Sequence, residues 1–106
     1  MSTLSLSMGA LADTSRQKIV ALLAERARSV VDLQRHFRFS QPALSKHLRT
    51  LRDAGLVVFE KRGRSHLYAL KGDTLRDAAD WLLEMHGFWR QRLDALGDVL
   101  DEETER

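Results

Sequence analysis

The stretch SQPALSKHLRTL, residues 40–51, carries two patterns at once. Leu44, Leu48 and Leu51 recur at i, i+4, i+7, the spacing of one apolar helix face that must be buried inside the chain. Between them stand Gln41, Ser45, Lys46 and Arg49, with Arg52 following, on the other face. Ser40 is a natural N-cap, and Pro42 falls in the first turn, where its missing N–H costs nothing. Gly55 is suited to end the helix as its C′ residue.

Working upstream, Asp13 is placed to cap a helix from Thr14 to about Glu25, with Ile19, Leu22 and Leu23 facing inward. Leu4 to Leu11 reads as a shorter helix before it. Ser29 followed by Asp32 resembles a capping box opening a short helix from Val30 to Phe37. Downstream the period changes. LVVFEKRGRSHLYAL places β-branched and aromatic residues on both sides of Arg62-Gly63-Arg64, which predicts a hairpin over about 56–61 and 65–70 with Gly63 in the turn. From Asp73 a long helix is expected to about Leu100. Leu75, Ala78, Leu82, Met85, Trp89, Leu93, Leu96 and Leu100 form one stripe, and Trp81 and Phe88 a second. The terminal DEETER is expected to fray.

The expected architecture is mainly α with a small β-hairpin, in the order α-α-α-α-β-β-α. Residues 1–106 form a single winged helix-turn-helix domain, with the helix-turn-helix at about 30–54 and the wing at about 56–70. In that arrangement the polar face of the quoted helix is left for the major groove of double-stranded DNA, whose base edges an α-helix can reach.

Charge agrees with this reading. Residues 1–72 hold 13 Lys/Arg against 5 Asp/Glu, whereas residues 73–106 hold 4 against 10, so a net +2 hides a basic body and an acidic end. A chain of 106 residues suits one domain and buries roughly 60–70% of its unfolded surface, so an oligomer would add to a modest core. There is no Cys, which excludes disulfides and thiolate metal sites and suits a reducing compartment. The longest strictly apolar run, Ile19 to Ala24, is far short of a membrane span, and the N-terminus lacks a signal-peptide pattern. A soluble, cytoplasmic protein with no membrane partner is expected, associated with the nucleoid when bound to DNA.

The residues then resemble the ArsR/SmtB family of winged-helix repressors over roughly 8–100. The resemblance is carried by ALADTSRQKIVALL (10–23), DLQRHFRFSQPALSKHLRTLRDAGLV (32–57) and KRGRSHLYAL (61–70), most specifically by the string from Ser40 to Val57. It implies a homodimer, a recognition helix at 40–53, a wing near 61–65, and dimerisation through helices at about 4–11 and 73–100. The departures are informative. Metal-sensing relatives carry Cys-Val-Cys-Asp-Leu on the short helix, where Ser29, Val30, Val31, Asp32 and Leu33 stand here. Asp80, Glu84 and His86 do not reproduce the zinc pattern that others carry on the last helix. Arg38 replaces the Gly often found in the turn, so strain at a positive φ is expected there.

The expected DNA contacts are Ser40, Gln41, Pro42, Ser45, Lys46 and Arg49 on the recognition helix and Arg62 and Arg64 on the wing. Arg49 suits bidentate reading of guanine and Lys46 a phosphate. His47 lies partly on the buried side and reads as structural. The expected dimer interface is Leu6, Trp81, Met85, Phe88, Trp89, Leu93 and Leu96, since aromatic stripes on a helix more often serve a core or interface than a ligand pocket. No metal and no cofactor are expected: among His36, His47, His66 and His86 no pair has i, i+4 spacing. An enzyme is not expected either. There is no Gly-rich phosphate loop, and Ser45 and His47, two apart on a helix, do not face each other. The reading is a sequence-specific repressor of a pseudo-palindromic operator, with its own gene among the expected targets. The competing reading is a protein-interaction module working through the aromatic last helix. The sequence names no small-molecule or protein effector.

Overall fold

Four of the helices begin at a side-chain cap. In the computed structural model, which describes residues 2–105 and the side-chain surroundings of 2–97, Ser2 caps α1 (Thr3–Ala10) and Asp13 caps α2 (Thr14–Glu25). Ser29 caps α3 (Val30–Gln34), and Ser40 caps α4 (Gln41–Asp53). Each cap oxygen accepts the N–H of the residue three further on, so an otherwise orphaned donor is satisfied where the chain turns into helix. Strand β1 (Arg28–Ser29) precedes α3; β2 (Val57–Arg62) and β3 (Ser65–Leu70) follow α4; and α5 (Gly72–Glu105) closes the chain.

The Leu face of α4 is the centre of the core. Leu44, Leu48 and Leu51 are buried together with Ile19 and Leu23 of α2, Leu33 of α3, and Leu56, Val57 and Tyr68 around the sheet. Leu22 is only half-buried, at the edge of this cluster. Gly55 ends α4 at φ 75°, with its N–H on the Arg52 carbonyl at 2.9 Å and the Leu56 N–H on the Leu51 carbonyl at 3.0 Å. This is a Schellman closure, and Leu51 and Leu56, the two residues that flank it, are both fully buried. Gly63 (φ 60°) and Arg64 make the two-residue loop between β2 and β3. A positive φ at only the first of the two fits a type II′ hairpin turn.

Several sequence expectations need correction. The sheet has three antiparallel strands in the order β1-β3-β2, because Arg28 and Ser29 pair with Tyr68 and Leu67. A two-residue strand has no periodicity of its own to betray it. Helix α3 stops at Gln34 rather than Phe37. The His36 and Phe37 N–H groups bond three residues back, tightening the chain into the turn, while Gln34 Nε2 donates to the Phe39 carbonyl at 2.7 Å. Arg38 carries no strain: among the described residues only glycines have positive φ. The capping box at Ser29 is half made, since the Asp32 carboxylate turns to Arg28 instead of its own helix start. The hairpin strands begin and end within a residue of their expected places.

Helix α5 runs on to Glu105, so residues 101–105 of the tail expected to fray have a helical backbone. The side chain of Leu100, at the end of the expected stripe, and those of DEETER lie outside the described residues. Only the first turns of α5 join the body: Thr74 and Ala78 are buried and Leu75 is half-buried, against α1 and the core. The rest projects, giving extents of 73 × 27 × 25 Å and a radius of gyration of 19.5 Å, against about 13 Å for a compact chain of this length. No helix among the described residues is long and apolar enough to cross a membrane.

Candidate nucleic-acid interface

Burying the Leu face of α4 forces Gln41, Pro42, Ser45, Lys46 and Arg49 outward, and all five are exposed. The hairpin lies alongside, so α4 and the sheet form the two walls of a trough. One hollow of about 470 Å³ is lined by Pro42, Ser45, Lys46, Arg49 and Arg52 from α4 and Tyr68 from β3. A second, of about 270 Å³, continues past Gln41 and Ser45 to Arg64, Ser65 and His66 at the hairpin end. Ser45 and Tyr68 line both hollows, which therefore form one continuous surface. Among the described residues no carboxylate lines either hollow, so the field within the trough is positive.

The trough brings together Gln41, Pro42, Ser45, Lys46, Arg49 and Arg64. Ser40 stands at its end with its hydroxyl committed to the Ala43 N–H at 3.3 Å. Arg62 is not on this surface. Alternation along β2 sends it to the opposite face, where it lies 3.4 Å from Glu60. Lys61 instead shares a face with Phe59, His66 and Tyr68. Sequence reasoning named Arg62 and passed over Lys61; the period of two, carried into the turn, was the signal that separates them.

The reading helix is held from behind by polar contacts. The guanidinium of Arg16 spans the corner between helices, with Nε donating to the Ala10 carbonyl at 2.6 Å and Nη1 3.3 Å from His47 Nδ1. The Asp13 carboxylate lies 4.0 Å from the same nitrogen, and the Phe39 ring packs at 5.3 Å. His47 is therefore engaged on the buried side of α4, as its position in the sequence suggests. The Asp13 carboxyl is held below its ordinary value, first by the Arg16 backbone N–H and further by the positive groups beside it. The turn before α4 is braced by stacked Phe37 and Phe39 rings at 4.7 Å, with Lys18 over Phe37.

Arg28 is the residue sequence reasoning missed. Nearly fully buried, it donates to the Leu22 carbonyl at 2.9 Å, to Asp32 Oδ2 at 2.9 Å and to Glu25 Oε2 at 2.6 Å. It locks the end of α2 to the start of α3. These bonds, Arg28 foremost, hold the Asp32 carboxyl below its ordinary value. Nothing in local patterning marks Arg28 out; only the hidden β1–β3 pairing places it inside.

The residues expected at a dimer interface are all exposed in the single chain. Leu6 and Met85 are just over one-third exposed, whereas Phe88, Trp89 and Leu96 are more than half exposed. Among the described residues no group of three or more His, Cys, Asp or Glu is placed to hold a metal ion.

Comparison with known proteins gives this geometry its context. Residues 13–58, which span α2 to the start of β2, match the model of the bacterial regulatory proteins of the arsR family. The chain is 42% identical over 72 residues to the arsenical resistance operon repressor of Staphylococcus xylosus, covering 68% of this chain and 69% of that protein. It is 32% identical over 74 residues to the transcriptional repressor SdpR of Bacillus subtilis, covering 70% and 82%. An ArsR-like transcriptional regulator from Rhodococcus superposes with a TM-score of 0.75 at 31% identity, over 92% of each chain. The chain belongs to the ArsR family of bacterial regulatory proteins, and is a DNA-binding transcriptional repressor built on a winged helix-turn-helix rather than an enzyme.

Proposed function

We propose that this protein acts as a homodimer on a pseudo-palindromic operator, which includes its own promoter, and that it does so in the cytoplasm, on the nucleoid, without thiolate metal sensing. The observation that carries the reading is the carboxylate-free trough between α4 and the hairpin, lined by Lys46, Arg49 and Arg64. In this reading the N-terminal part of α4 enters the major groove. Gln41, Pro42, Ser45 and Arg49 meet base edges, while Ser40 and Lys46 meet the backbone. Arg64, at the hairpin tip, approaches the adjacent phosphates and minor groove, and Arg62, which faces away from the trough beside Glu60, has to leave that carboxylate to join it.

The dimer follows from α5. Its exposed face carries Trp81, Met85, Phe88, Trp89, Leu93 and Leu96, and the start of the helix packs beside α1, which carries Leu6. An isologous partner is the common way to bury such a surface. Two-fold symmetry would set two copies of α4 in successive major grooves, about 34–36 Å apart. Arsenic, cadmium or lead capture by thiolates has no ligands in a chain without cysteine, although one relative is named for arsenical resistance.

The test is a pair of substitutions titrated on duplex DNA, with the operator first selected from genomic fragments. Arg49→Ala is expected to weaken operator binding by about 1–3 kcal/mol and to relax base preference at one position. Lys46→Ala is expected to weaken operator and random duplex alike. Unchanged affinity in both variants places the DNA-contacting surface elsewhere.

A further inference from the structure

Arg52 has no role in the reading above, yet it lines the same hollow as Lys46 and Arg49. It stands one turn beyond Arg49 on the exposed side of α4, and its guanidinium carbon lies 5.0 Å from the centre of the Phe59 ring on β2. That is within cation–π range. The ring is itself set by its neighbours, stacked on Tyr68 at 5.4 Å and tilted against His66 at 4.9 Å. Backbone geometry fixes the spacing between the two residues. The Arg52 carbonyl accepts the Gly55 N–H in the Schellman closure, and the chain then passes directly through Leu56 into β2.

We propose that Arg52 is a further DNA-backbone contact, a phosphate clamp at the C-terminal end of the recognition helix held in place by Phe59. The proposal rests on the reading of the trough as the DNA-binding surface. Three arguments support it. First, the aromatic face orients the guanidinium without neutralising it, so its N–H edge stays free for an anion. An ion pair would have fixed the side chain at the expense of its charge. Second, Lys46, Arg49 and Arg52 share a stripe that rises about 9 Å along α4, so the positive wall extends past the base-reading turns. Third, when the N-terminal part of a recognition helix sits against the bases, its far end lies where the duplex backbone passes. A phosphate, not a base, is the partner within reach. Phe59 is a positioning residue in this scheme: it touches no DNA and acts through Arg52.

The experiment is a salt titration of operator and random duplexes by fluorescence anisotropy, with wild type, Arg52→Gln, Arg52→Lys, Phe59→Leu and the double variant Arg52→Gln/Phe59→Leu. Circular dichroism confirms the fold of each. One phosphate contact contributes about 0.9 to the slope of log affinity against log salt. Arg52→Gln should therefore lower the slope by about that much, so that its deficit against wild type shrinks about three- to four-fold between 50 and 200 mM salt. Operator and random duplex should be affected equally. Arg52→Lys keeps the charge and should keep the slope. Phe59→Leu should keep the slope too and weaken binding by about two- to five-fold, the size of an exposed cation–π contact. That loss should vanish in the Arg52→Gln background. An unchanged slope in Arg52→Gln, or an equal cost of Phe59→Leu with and without Arg52, overturns the clamp. Changed base preference in Arg52→Gln overturns the phosphate assignment. If wild type binds with a slope that Lys46→Ala lowers, such a result sinks the clamp alone; if wild type binds no duplex, the trough reading falls as well.

Discussion

The body of the molecule and its last helix use apolar residues in opposite ways. Within residues 3–71 the fully buried leucines, isoleucine and valine pack into one cluster drawn from several elements, and the buried polar residues Ser7 and Arg28 are bonded, although Gln34 Oε1 is buried without a partner. Along α5, from Ala79 to Leu96, every residue is exposed, including two tryptophans and a phenylalanine. Eight of the twelve large exposed hydrophobics among the described residues lie on this one helix. The body closes on itself, whereas α5 carries apolar surface that no other described residue covers. A helix keeps an apolar face in water only at a cost in solubility, so burial of this face by the second copy proposed above would stabilise it.

The largest effect is expected from breaking this asymmetry on α5. Trp89 and Leu93 are about half exposed and remote from the core, so Trp89→Glu/Leu93→Glu should leave the body folded. If a second copy covers them, the variant sediments as a monomer. Its operator affinity then falls by about 10²–10⁴-fold through lost bivalency, while weak binding to random duplex changes little. A dimeric variant with full operator affinity would break the comparison at its root. The aromatic face would then belong to a different protein partner, and the interface of the dimer would lie elsewhere.

A smaller effect, in the opposite currency, is expected inside the body. Arg28→Met keeps most of the side-chain volume but removes the bonds to Leu22, Asp32 and Glu25. Hydrogen bonds to charged groups contribute about 1.5–3 kcal/mol, and the exposed Glu25 end of this network adds little. A urea midpoint shift equivalent to about 2 kcal/mol is expected, with the sedimenting mass unchanged. Loss of dimer without loss of stability in this variant would mean that body and last helix are not separable.

This division also explains what could be read from the sequence. The helices of the body were legible because caps and leucine spacing are local signals: Asp13, Ser29, Ser40 and Gly55 act where they stand. Strand β1 and the burial of Arg28 were not legible, because both depend on pairing with Tyr68 some forty residues away. The exposed face of α4 followed from its buried one. Which arginines flank the trough did not follow, since that depends on the strand alternation that turns Arg62 away and Lys61 towards Phe59. For α5 the stripes were visible, but a stripe says only that burial is needed, not against what.

The smallest effect concerns acid, and it sharpens the comparison from the side of the body. Asp13 and Asp32 both have carboxyls held below the ordinary value of 3.8, the first by the Arg16 backbone N–H and the second by Arg28. A carboxyl whose folded value is lowered contributes stability that is fully present above its unfolded value. The contribution is lost as pH falls through the lowered folded value, where the native state must also take up the proton. These two groups therefore add nothing to any change of stability between neutral pH and about pH 5, and they steepen the fall below it. Asp13→Asn keeps a cap oxygen for the Arg16 N–H but no longer titrates, and Asp32→Asn likewise keeps an acceptor for Arg28. The double variant should be somewhat less stable than wild type at neutral pH and should lose stability more gradually below about pH 5, so that the two urea-midpoint curves converge as the solution is acidified. Because both carboxyls bind within the body, the convergence should survive in the Trp89→Glu/Leu93→Glu background. Parallel curves would show that the lowered values do not act on folding, and a convergence abolished by the α5 substitutions would tie the acid response to assembly instead of to the body.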